Sequence, residues 1–140
     1  MSVVASGPRP TAPWPDRALA FTALAAALVL SRLPLPRRLA LVRQTRHLPY
    51  ASPSRLDALY TAACAAAPWW WPGRIACMEL SLAAVLAAAL TGRQVRWVLG
   101  ARFQPDAFHA WAEVPGHSVG RDIGDAGDRP WTLVMTVPDR

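Results

Sequence analysis

Three residues of this 140-residue chain have the types and order for nucleophilic chemistry: Cys77, His109 and Asp122. Cys77 follows the breaker pair Pro72-Gly73 and stands in the first turn of a helix predicted from about Ala76 to Leu90, with Gly92 as its C-terminal stop. Unpaired amides and the positive end of the helix dipole favour thiolate over thiol at that position. The competing reading is a small buried hydrophobe, the common fate of cysteine. Cys64 lies mid-helix among alanines with no helix end beside it, so burial is expected there.

A thiolate nucleophile needs an imidazole to take and return its proton, and a third group to orient that ring. His47 falls in an inter-helix loop and His117 in a turn, both expected to face solvent. His109 falls in the strand Phe108-His109-Ala110-Trp111-Ala112-Glu113-Val114. Alternation puts His109, Trp111 and Glu113 on one face, and the strand is expected to face a helix. Read as a four-residue turn, Pro115-Gly116-His117-Ser118 pairs Val114 with Val119, Trp111 with Asp122 and His109 with Gly124. Asp122 then shares the face of His109 on a diagonal of roughly 7–8 Å. Asp125 faces away, and Glu113 lies too far along the strand. A one-residue slip would reverse the choice. On this geometry Cys77 is the nucleophile, His109 the acid–base and Asp122 the orienting group of a Cys-His-Asp triad.

The elements that must position these groups read as helices first and strands second, an α+β domain with an antiparallel sheet. Residues 1–15 read as a flexible Pro-rich arm, 16–50 as an N-terminal helical segment and 51–140 as the core. Asp16 is expected to cap a helix starting at Arg17, and the apolar run Ala18–Leu30 is halted by Pro34 and Pro36. A short basic helix is expected over Arg37–Arg46, with Leu39, Leu41 and Val42 inside it. Ser52-Pro53 reads as an N-cap and first helical residue, followed by Leu56, Leu59, Tyr60, Ala63 and Ala67 on one face. Trp69, Trp70 and Trp71 either plug the core or line a groove, with the core favoured. Beyond Gly92 the period changes from 3.6 to 2, giving expected strands at Gln94–Leu99, Ala107–Val114 and Leu133–Val137.

Composition bounds the function. Hydrophobic residues make up 53% and charged residues 17%, which excludes a disordered chain. Cys64 and Cys77 cannot build a disulfide framework and lack metal-ligand spacing, so a cytoplasmic setting is expected and no metal or cofactor is implied. All 15 basic residues are arginine and the net charge is +6. Apart from the Arg37-Arg38 pair they are scattered singly, without a nucleic-acid-binding signature, so no nucleic-acid partner is expected. The apolar run 18–30 is too short to span a bilayer. It offers possible membrane contact, but burial against the core or a partner is favoured.

The stretch Arg74-Ile75-Ala76-Cys77-Met78-Glu79-Leu80-Ser81-Leu82-Ala83, the motif His109-Ala110-Trp111-Ala112-Glu113-Val114 and Asp122 together resemble the transglutaminase-like cysteine peptidases. More closely, they are similar to the stand-alone leader peptidases of lasso-peptide biosynthesis. The order and spacing of Cys77, His109 and Asp122 fit that family. So do the Leu-Pro-Leu-Pro-Arg-Arg segment and a tryptophan ahead of the cysteine stretch. Met78-Glu79 departs from it, since a Leu-Pro pair is frequent there. The resemblance implies a transglutaminase-like, papain-like core that removes the leader peptide from a ribosomally made precursor. It also implies a separate winged-helix leader-recognition protein, and an ATP-using lasso cyclase acting next on the freed amine. A transglutaminase-like acyltransferase and a non-catalytic interaction protein of the same fold are the alternatives.

Overall fold

In a computed structural model, the structure describes residues 12–66, 77–102, 107–120 and 132–138, with Cys77 and Ala107 described through their backbones. Four α-helices precede four strands among these residues, the α+β order expected. Helix α1 spans Trp14–Leu30 and buries Ala20, Ala23, Leu24 and Ala27, a stripe at helical spacing. It starts ahead of Arg17. Pro13 is the N-cap, and Asp16 does not cap but sits in the first turn, where it accepts from Arg55 Nη1 at 2.8 Å. Pro13 and Pro15 can start a helix without side-chain help, because first-turn amides have no intrahelical acceptor to lose. Asp16 is thereby left for an ion pair between α1 and the third helix. Phe21 and Val29 remain exposed, so α1 is not covered all round.

Helix α2, Leu35–Arg43, continues into a 3₁₀ turn over Gln44–His47 and buries Leu39 and Val42, whereas Leu41 lies exposed. Helix α3, Pro53–Ala66, starts as expected: the Ser52 hydroxyl accepts from the Arg55 amide at 3.1 Å. Leu56, Leu59, Ala62 and Ala63 are wholly buried. Helix α4, Cys77–Leu90, is the centre of the molecule. It packs on α1 and α3 on one side and on the sheet on the other, so its Leu82–Val85 stretch and Ala87 and Ala88 are inaccessible. Its end is a Schellman motif: Gly92, at φ +78°, lets the Arg93 amide reach the Ala88 carbonyl and its own amide reach Ala89. No helix among the described residues is long and apolar enough to cross a membrane.

Strands β1 (Arg96–Arg102), β2 (Ala107–Val114), β3 (His117–Val119) and β4 (Thr132–Val137) form one antiparallel sheet in the order β3-β2-β1-β4. Strand β1 begins later than expected because Gln94 pairs in parallel with Tyr50 instead: its amide reaches the Pro49 carbonyl and its carbonyl takes the Ala51 amide. Tyr50 in turn accepts from the Arg96 guanidinium.

The β2–β3 hairpin also departs from expectation. Val114 pairs with His117, Glu113 with Ser118 and Ala112 with Val119. The turn is therefore the two residues Pro115-Gly116, not four. Proline fixes the first φ and Gly116 takes φ +79°, the combination of a type II turn, which reverses the chain before His117. The register moves by two residues, an even step that leaves the division of residues between faces unchanged.

The faces are assigned by Trp97, whose indole Nε1–H donates to the Ser81 hydroxyl of α4 at 2.9 Å. Trp97, its partner Ala112, Val114 and Val137 thus close the helix-side core. On the reverse face Val98 and its partner Trp111 are wholly buried, and His109 and Glu113 share that face by alternation.

Candidate active site

Cys77 is the first residue of α4, with the backbone placement that the helix-start reading requires. This first turn is tied to the sheet. The Ser81 hydroxyl donates to the Met78 carbonyl at 3.2 Å and accepts from Trp97, so the turn carrying Cys77 is braced against β1. At the same end of the sheet, Met78 and His109 border one cleft of about 500 Å³, completed by Leu35, Leu99, Gly100, Phe108, Val134 and Met135. Its lining is almost entirely apolar, and the exposed Phe108 and Val134 form its rim.

His109 is half-buried and its ring stands 6.0 Å from that of Trp111, on the strand face expected for both. The expectation that this face looks onto a helix is corrected. Helix α4 lies over the Ala112 and Trp97 side, and His109 comes near its first turn only at the sheet's end, across the cleft. A polar side chain fits there because a sheet margin leaves it partly open to water.

The ring's Nε2 is hydrogen-bonded to the Gly120 carbonyl oxygen. A carbonyl only accepts, so Nε2 carries the proton and the lone pair of the neutral ring is on Nδ1. Sequence reasoning missed Gly120. The signal was a glycine directly after a short strand, which here adopts φ +77°. The expected pairing of Trp111 with Asp122 rested on a four-residue turn, and the described β2–β3 register ends at Ala112 with Val119. Asp122 lies outside the described residues, as do Gly124, Asp125, Ala67, Pro72-Gly73 and Trp69, Trp70 and Trp71.

The other candidates are accounted for. His47 is exposed and accepts from Arg46 at 3.3 Å. His117 is not in the turn but opens β3, bonded to Asp57 at 2.7 Å. Glu113 is buried and paired with Arg96 at 3.9 Å, away from the cleft. Among the described residues no group of three or more His, Cys, Asp and Glu side chains is placed to hold a metal ion.

Burial pushes the Cys64 thiol up, and a hydrogen bond from Tyr60 offsets only part of that rise. Cys64 is therefore a protonated thiol at neutral pH. In a Cys77→Ala protein, iodoacetamide labelling followed by intact mass should be slow at pH 7 and accelerate only in alkaline buffer. Rapid labelling at pH 7 would contradict the assignment.

The sequence profile of the transglutaminase-like superfamily matches residues 18–131, a span holding most of α1, helices α2 to α4, strands β1 to β3 and the three candidate residues. No curated protein and no solved structure gave a significant match.

Proposed function

The chain belongs to the transglutaminase-like superfamily, whose members are generally cysteine-dependent enzymes and include peptidases and acyltransferases, and from that premise we propose a leader peptidase acting on a lasso-peptide precursor. The observation that carries the proposal is the cleft bordered at once by the first turn of α4 and by His109.

In this reading the Cys77 thiol loses its proton to His109 Nδ1, and the sulfur attacks the carbonyl carbon of the last leader residue. The oxyanion forms at the N-terminus of α4, where backbone amides without intrahelical acceptors supply donors. Collapse breaks the C–N bond. The imidazolium returns the proton to the departing core-peptide amine, leaving a thioester on Cys77. His109 then takes a proton from water, hydroxide adds to the thioester carbonyl, and the leader leaves as a carboxylic acid with the thiol restored. Asp122 is assigned to stabilise the imidazolium through its negative charge, since the Gly120 carbonyl already receives Nε2–H and Nδ1 takes the thiol proton.

The apolar lining implies that the segment flanking the cut presents an apolar side chain to the cleft. Met78→Asp places a charge in this apolar lining, on the same cleft as His109, and should lower kcat/KM at least about tenfold, or about 1.4 kcal/mol, while Met78→Leu keeps it. Precursor-cleavage rates of the two variants check this, and equal rates would remove the cleft from the substrate path. The exposed Phe21 and Val29 of α1 and the arginines of α2 are the proposed docking face for the winged-helix leader-recognition protein, and the ATP-using cyclase is the proposed next enzyme.

The deciding experiment incubates the chain with a precursor peptide, with and without that partner, and reads products by mass. Free leader acid plus core amine supports hydrolysis. An amide-linked leader adduct supports an acyltransferase, and an unaltered precursor with the partner present, under conditions where the partner binds, counts against both.

A further inference from the structure

We infer that Gly120, buttressed by Tyr60 of α3, is a positioning residue that holds His109 in one tautomer, with the proton on Nε2 and the lone pair on Nδ1. The inference rests on the proposal that His109 is the base.

Two independent features select glycine at position 120. Its backbone stands at φ +77°, a conformation that side-chain-bearing residues rarely adopt. A β-carbon there would also lie 2.8 Å from the Tyr60 hydroxyl oxygen and 3.1 Å from Cζ. Tyr60 is itself held, since the neighbouring Leu56, Leu59 and Ala63 of α3 are wholly buried and its hydroxyl bonds to Cys64. The ring therefore occupies the space that a side chain at position 120 would need, beside the residue whose carbonyl receives His109 Nε2–H. A neutral carbonyl cannot take the proton away. It fixes Nδ1 as the basic atom, and after proton transfer the bond becomes charge-assisted and favours the imidazolium.

The test is nitrogen NMR of the His109 ring in the full-length protein labelled at histidine, at a pH where the ring is neutral. The expected wild-type result is the Nε2–H tautomer. Gly120→Ala and Tyr60→Ala should each convert it to a mixture and lower kcat, by roughly 100-fold for Gly120→Ala, with KM little changed. A structural role alone would lower the melting temperature and leave the tautomer as it was. A wild-type Nδ1–H ring overturns the inference, as does an unaltered tautomer in the variants. If Gly120→Ala does not fold, the wild-type spectrum and Tyr60→Ala decide. The parent reading fails separately: an Nε2–H ring in a protein whose precursor cleavage survives His109→Gln removes the catalytic role and leaves the tautomer lock standing.

Discussion

Cys77→Ala is expected to abolish precursor cleavage, by roughly 10⁴-fold or more, while leaving the melting curve and the affinity for the recognition partner unchanged. Two physical facts separate these outcomes. Alanine is the best helix former, so the first turn of α4 loses nothing in propensity. The thiol, in contrast, is the only group proposed to carry the acyl intermediate. Because nucleophile and base act as a unit, the double variant Cys77→Ala/His109→Ala should be hardly slower than either single one. Mass-resolved single-turnover cleavage and partner titration check both statements. Cleavage that persists without the thiol would eliminate the nucleophile, and partner affinity lost along with activity would make Cys77 a structural residue.

Trp97→Ala is expected to carry the largest stability loss, about 3–5 kcal/mol by urea denaturation. Trp97 is 1% exposed and fills the space between β1 and α4. Its removal leaves a cavity there and takes the indole donor from Ser81. Ser81→Ala isolates the polar part: the indole Nε1–H loses its acceptor, at a cost of about 1–3 kcal/mol. The two losses should not add, since both variants break the same hydrogen bond. Ser81 also bonds the Met78 carbonyl, so Ser81→Ala should lower cleavage beyond what its fraction folded accounts for. Equal stability of Ser81→Ala and the parent protein would show that the bond does not brace the first turn of α4.

Much of the fold was legible because local rules were strong and agreed. Ser52-Pro53 started α3, Gly92 closed α4, and the change of period after Gly92 marked the sheet. Where two local solutions competed, reading failed. Asp16 has the chemistry of a cap, yet Arg55, distant in sequence, provides an ion-pair partner that no local rule contains. Pro115-Gly116 and the four-residue alternative both make hairpins. The choice between them moves each described β2–β3 pair by two residues, so that Val114 meets His117 rather than Val119.

The candidate site divides along the same line. A cysteine after Pro-Gly at a helix start and a histidine in an alternating strand are patterns of neighbours along the chain, so the sequence by itself marked Cys77 and His109 and set which strand residues share a face. Only tertiary structure decided that α4 covers the Ala112 face, that Met78 and His109 border one apolar cleft, and that a glycine carbonyl receives the imidazole. Each of those contacts joins segments far apart in the chain. Their geometry depends on how helices and sheet pack against one another, information that no local periodicity encodes.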